Sequence, residues 1–236
     1  MTRSIPLPEP PDDATSDRRL AAFHIAFLLF GAAALVAARE GQEGWAVFAA
    51  GVAYNLALPI SAVRWVHPRW VHLWGFLLPL SILQIYPDWV LVDHFGTLVF
   101  PDLGGILRVG DAVPVYMGFL WVAALLPVVY LGDRLIDTRG RAVALTAVAI
   151  ATLAVFALAE TLLTTWVPIW HAVDVATLGP VALYVLPAEV VLGVTTFLLW
   201  RTLGRKTLPV RILAALATML TYLGALWCFH GLIEGF

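Results

Sequence analysis

The chain has 236 residues, 61% of them hydrophobic and 13% charged, whereas soluble domains average about 45–50% apolar and about 25% charged residues. With a mean hydropathy of +0.88, that composition excludes a soluble globular core. The net charge is −2, and the 14 Lys and Arg scatter through connections rather than along one helix face. A nucleic-acid partner therefore lacks its electrostatic footprint.

Residues 1–18 are rich in Pro and acid and lack the basic-then-apolar order of a secretory signal. They read as a disordered tail. Seven apolar stretches follow over 19–236, each near the roughly 20 residues that cross about 30 Å of hydrocarbon. They lie at 20–38, 45–65, 70–86, 113–131, 142–166, 181–200 and 210–231. The expected fold is all-α, a polytopic bundle of seven transmembrane helices with no internal repeat. The longest connection, 87–112, is read as an external loop that caps the bundle or dips back into it. Cys228, the single cysteine, lies in an apolar run and reads as a small buried hydrophobe.

Orientation follows from the basic residues, which accumulate in cytoplasmic loops. Seven spans put Arg3, Arg18, Arg19, Arg64, Arg69, Arg134, Arg139, Arg141, Arg201, Arg205, Lys206 and Arg211 on one side, and only Arg39 and Arg108 on the other. The N-terminus is expected in the cytoplasm, the C-terminus outside, and the chain in the plasma (cell inner) membrane.

Ionisable groups inside hydrocarbon are costly, so each asks for a partner or a purpose. Glu160 lies about one and a half turns from the outer end of the fifth span, and Glu189 about two turns from the outer end of the sixth. Those spans run in opposite directions, so the two carboxyls should share a depth and face one cavity. A low-dielectric site and a neighbouring carboxyl both favour the protonated form of an acid, which is the state a general acid requires. The alternative is structural: each Glu donates to a carbonyl freed by a proline such as Pro187. Asp88, Asp93, His94 and Asp111, then His171 and Asp174, then His230 and Glu234 gather on the same outer side. Each loop acid by itself reads as solvated, and their spacing supports no metal site.

Tyr54 and Asn55 precede Pro59 at mid-membrane, a pattern of either a polar pocket or interhelical hydrogen bonding. Trp45, Trp65, Trp70, Trp166 and Trp200 stand at span ends, as an interfacial belt would. Trp121 and Trp227 lie deeper. Their rings could stabilise a carbocation in a dry cavity. With Tyr116, Tyr184 and His230, these residues form the expected substrate-binding set. No mid-membrane lysine is available for a retinal, and no Asp-rich pair for magnesium diphosphate.

Two segments carry a resemblance: 108–121, Arg-Val-Gly-Asp-Ala-Val-Pro-Val-Tyr-Met-Gly-Phe-Leu-Trp, and 179–189, Gly-Pro-Val-Ala-Leu-Tyr-Val-Leu-Pro-Ala-Glu. Together with seven spans they resemble the small integral-membrane isoprenoid cyclases, the membrane lycopene cyclases and the fungal meroterpenoid cyclases. In the lycopene cyclases a Pro-x-Glu sequence entering a helix supplies an acid, matched here by Pro187-Ala-Glu189. The second acid usual after that Glu is replaced by Val190. The resemblance implies a cofactor-free enzyme without metal that protonates a lipid-soluble isoprenoid to cyclise, isomerise or hydrate it. Glu189 would be the acid, tuned or reprotonated by Glu160 or Asp111. A small proton-coupled transporter, or a non-catalytic membrane assembly protein, is the alternative.

Overall fold

The structure is a computed structural model that describes residues 13–235. Residues 1–12 of the expected tail lie outside the described residues. Residues 13–18 are helical, because α1 spans Asp13–Ala37. Asp13 suits the positive end of that helix, and both Asp13 and Asp17 pair with Arg134, so the acidic stretch read as a tail is pinned as a helix start.

The remaining helices are α2 (Glu43–Arg64), α3 (Pro68–Leu83), α4 (Ile85–Trp89), α5 (Met117–Arg139), α6 (Arg141–Thr165), α7 (Val185–Leu203) and α8 (Leu208–Ile233). A π-helical turn, Val90–His94, follows α4 directly, so α3, α4 and this turn form one span, Pro68–His94. Among the described residues seven helices are thus long and apolar enough to cross a membrane. The bundle is all-α apart from two-residue strands in the loops. Leu28, Val36, Ile60, Ile150 and Leu213 are exposed around its sides, where lipid replaces water as the solvent. Cys228 is also exposed, not buried.

The third span corrects the loop expected at 87–112. Pro87 falls in the first turn of α4, where its missing N–H costs little, so the helix continues for seven residues past it. The π turn then widens the helix where it meets the loops. The fourth and sixth spans begin four residues later than expected because Val113–Pro114 and Val181–Ala182 are strands.

Those strands reveal a repeat that the sequence hid. The order helix, strand, hairpin, helix occurs twice: α3–α4, β1 (Leu98–Val99), the hairpin β2 (Arg108–Val109) and β3 (Val113–Pro114), then α5; and α6, β4 (His171–Ala172), the hairpin β5 (Thr177–Leu178) and β6 (Val181–Ala182), then α7. The two equivalent strands β1 and β4 pair antiparallel with each other, as a two-fold axis along the membrane normal would arrange them. Each hairpin turns on a glycine of positive φ, Gly110 at 58° and Gly179 at 62°. Each is followed by a tyrosine that reaches across to the other repeat. The Tyr116 hydroxyl donates to the carbonyl of Ile169 at 3.1 Å, and the Tyr184 hydroxyl shares a hydrogen bond of 2.6 Å with Thr97 Oγ1.

At the opposite, arginine-rich end a buried ion cluster ties three spans. Asp133 of α5, 1% exposed, binds Arg201 of α7 at 2.6 Å and Arg69 of α3 at 3.6 Å. Removing one partner would strand a buried charge, so the cluster fixes register more than it adds net stability. Helices α1 and α2 pack on the outside of this unit, α1 against α2 and α2 against α3 and α5.

Candidate functional site

Beneath the loop cap, α4, α5, α6, α7 and α8 enclose a cavity of about 120 Å³. Three carboxyl groups from three spans line it: Asp88, Glu160 and Glu189. Glu160 and Glu189 come together as their depths foretold, because α6 and α7 are antiparallel neighbours. Asp88 joins them because the third span continues past Pro87. Its place is the counterpart of Glu160, ten residues before β1 where Glu160 stands eleven before β4. By the same repeat Trp121 of α5 stands opposite Glu189 of α7, each five residues after its tyrosine. The second half of the repeat contributes an acid where the first contributes an indole.

Asp88 is 4% and Glu189 2% exposed, and each has one oxygen without a hydrogen-bond partner, Oδ2 and Oε2 respectively. The indole N–H of Trp121 lies beside Asp88, yet completes no hydrogen bond of regular geometry. Glu160 is half-buried and accepts a hydrogen bond from Trp170 Nε1 at 3.1 Å. The three acids are close enough to repel one another electrostatically. Among the described residues no Lys or Arg lines the cavity, so their charge is countered by protons or by a bound cation. The walls are otherwise apolar and aromatic: Phe156, Trp170 and Tyr222 complete the box around Trp121, with Trp121 at 5.4 Å from Phe156 and 5.9 Å from Tyr222 between ring centroids. Among the described residues no group of three His, Cys, Asp or Glu is arranged to hold a metal.

Tyr184 closes the top of the cavity. Burial pushes its phenol up to about 12, against the pull of the Thr97 hydroxyl, so it stays a neutral hydrogen-bonding group across the physiological range. Tyr116 does not line the cavity; it is fully buried under the cap, and burial likewise raises its pKa.

Other expected site residues fall elsewhere. Asp111 is exposed at the tip of the β2–β3 hairpin, with φ 55°, and is absent from the cavity wall. A Gly-Asp pair there serves the turn, where Asp tolerates the left-handed region. Tyr54 bonds to His24 Nε2 at 3.0 Å. Asn55 donates to the carbonyls of Gly51 and Phe119 and accepts from Trp74 Nε1 at 3.2 Å, tying α2 to α3 and α5. It is interhelical glue and not a cavity residue. Trp227 and His230 pack around Phe95, and His230 meets Tyr184 edge-on at 5.2 Å. They form a second ring of aromatics outside the cavity. Asp88 is the residue that sequence reasoning passed over as a loop acid. Its signal was an acid inside the apolar run 85–92.

The family profile described as "Domain of unknown function (DUF6989)" matches residues 85–233, well over half of the chain. The chain belongs to the DUF6989 family. The matched segment begins at the first residue of α4 and ends at the last of α8, so it takes in every residue that lines the cavity. No curated protein and no solved structure matches the chain.

Proposed function

We propose that this DUF6989 protein is an integral-membrane cyclase, or a related isomerase, that protonates a lipid-soluble isoprenoid. The observation that carries the reading is the convergence of Asp88, Glu160 and Glu189 in one aromatic-walled cavity within the membrane. Glu189, the most buried and with an oxygen facing no partner, delivers its proton to an alkene carbon. The cation formed on the adjacent carbon is attacked by a second double bond of the same chain, which closes a ring and moves the charge. Loss of a proton to the carboxylate of Asp88 then restores an alkene, and return of that proton to Glu189 across the shared cavity resets the site. Atoms balance without a co-reactant, since the product is an isomer of the substrate. Trp121, Phe156, Trp170 and Tyr222 face the charge with their rings, and the closed cap keeps out water that would trap the cation. Asp88 takes the companion role first expected of Glu160 or Asp111.

The cavity holds the reacting end alone. The remaining chain would lie along the half-buried Leu120, Ala124, Ala159 and Leu163 of α5 and α6, which lead towards the lipid-facing side. We also propose a plasma-membrane location with the N-terminus in the cytoplasm, supported by the twelve-to-two distribution of basic residues. The test is expression in a host supplied with linear polyprenyl substrates, with lipid extracts read by mass spectrometry and chromatography. The expected result is a product of unchanged mass and altered retention, formed only when the intact protein is present. Unchanged substrate across hydrocarbon, alcohol and quinone-linked polyprenyls would remove the reading.

A further inference from the structure

The cavity presents an uncompensated pattern that a hydrocarbon substrate does not fill. Two carboxyl oxygens, on Asp88 and Glu189, are buried without partners. They come from different spans but line the same small space. Leaving a buried acceptor unpaired is destabilising, and an apolar ligand would perpetuate that cost at both oxygens. Water could satisfy them before a ligand enters, since the cavity is far larger than the roughly 10–15 Å³ one water needs. It would be displaced by any ligand.

The groups around the two oxygens narrow the choice. Among the described residues no Lys or Arg lines the cavity, so an anionic ligand would meet three acids and no cation from them. A neutral hydroxyl could bond to one oxygen but would leave the aromatic box unused. A singly charged ammonium uses both features. Its N–H donates to a carboxylate, while its methyl groups rest against the faces of Trp121, Phe156 and Tyr222, where a desolvated cation–π contact is strongest. The repeat makes this asymmetric: the acid Glu189 and the indole Trp121 occupy equivalent places on the two sides, so a cation between them has charge on one side and a ring on the other.

We infer that the cavity binds a lipophilic alkylammonium ion, with the head between Asp88, Glu189 and Trp121 and the alkyl tail running out past Ala124 and Ala159. This rests on the cavity and its unpaired groups, and deepens the cyclase reading by making the site a receptor for positive charge, which a protonated amine carries as it enters and a reacting isoprenoid acquires only in passing. Where the acids hold protons, entry of the ammonium releases a proton to bulk water, so charge in the cavity is conserved.

The test is titration calorimetry of the full chain in phosphatidylcholine nanodiscs with N,N-dimethyldecylamine, using 1-decanol as the uncharged probe of the same length. The amine should bind at least tenfold more tightly than the alcohol, with an observed heat that depends on the ionisation enthalpy of the buffer. Glu189→Gln and, separately, Asp88→Asn should each weaken the amine by about tenfold and shrink its preference over the alcohol, while the melting temperature of each variant reports an intact fold. Equal affinity of amine and alcohol, or variants that bind the amine like the parent, would overturn the inference. Conversion of an isoprenoid without amine binding would sink this inference and leave the cyclase standing. Amine binding without conversion of any polyprenyl would do the opposite.

Discussion

Replacing Gly193 with alanine tests how the two acid-bearing helices are held at their working distance. Gly193 lies one turn after Glu189 on α7 and faces Thr152 of α6; an added Cβ would meet Thr152 Oγ1 at 2.0 Å, Cγ2 at 2.7 Å and Cβ at 2.9 Å. Thr152 is fully buried, and its hydroxyl donates to the carbonyl of Val148 at 2.7 Å, so it yields only by giving up that bond. Restoring an ordinary contact of 3.4 Å takes roughly 1.4 Å of separation. Overpacking of this kind costs about 1–3 kcal/mol, offset by about 0.8–1 kcal/mol of helix propensity gained on losing glycine. The net loss of about 1 kcal/mol corresponds to a melting temperature lower by about 2–4 °C for a chain of this size. Activity should suffer more than stability, because a misplacement near 1 Å can cost about 10²-fold in rate. Melting in detergent and isoprenoid turnover on the same preparation separate the two effects. Thr152→Ala added to Gly193→Ala removes Oγ1 and Cγ2, the two nearest opposing atoms, leaves only Cβ at 2.9 Å, and should recover most of the activity. A Gly193→Ala variant that melts and turns over like the parent, or a double variant with no recovery, would refute the close approach of α6 and α7 as the device that sets the site.

The cross-repeat bonds predict that Tyr184→Phe and Tyr116→Phe each destabilise the cap by about 0.5–1.5 kcal/mol, read as faster amide exchange over 95–116 and 166–184; exchange unchanged in both would count against the two-fold arrangement. His67, between the second and third spans, stacks on Trp70 at 4.6 Å and bonds Ser16 Oγ at 2.6 Å. Burial, then the charges of Arg19 and Arg69, hold its pKa below the usual 6.5. The unfolded chain therefore binds the proton first, so the stability His67 contributes is fully present above about pH 6.5 and is lost as pH falls through that value towards the lowered one. His67→Gln should flatten that part of the melting profile between pH 7.5 and 5.5, and an identical slope in the variant would contradict the assignment. Asp111→Asn should leave turnover unchanged while Asp88→Asn reduces it by about 10²-fold or more; the reverse pattern would return the companion role to the hairpin.

The helices were legible because lipid-exposed spans must be continuously apolar, and the depth of Glu160 and Glu189 followed from counting turns in antiparallel spans. What the sequence concealed has physical causes. Pro87 reads as a helix stop, yet in a first turn it is tolerated, and so Asp88 passed for a loop acid. Asp111 drew attention as an acid near a helix start, whereas the preceding Gly110 marks a hairpin tip. The repeat escaped notice because its halves share elements rather than residues: the hairpin glycines and Tyr116 and Tyr184 coincide, while Trp121 and Glu189, the pair that gives the cavity its asymmetry, differ completely.

The proposed reaction turns on Glu189 as its proton donor. Its most direct test is the turnover of the purified protein in nanodiscs, parent against Glu189→Gln, on an isoprenoid that the parent converts. The amide keeps the size and hydrogen-bonding capacity of the acid but has no proton to give, so the rate should fall by about 10²–10⁴-fold with an unchanged melting temperature. A Glu189→Gln protein that turns over at the parent rate would contradict the account.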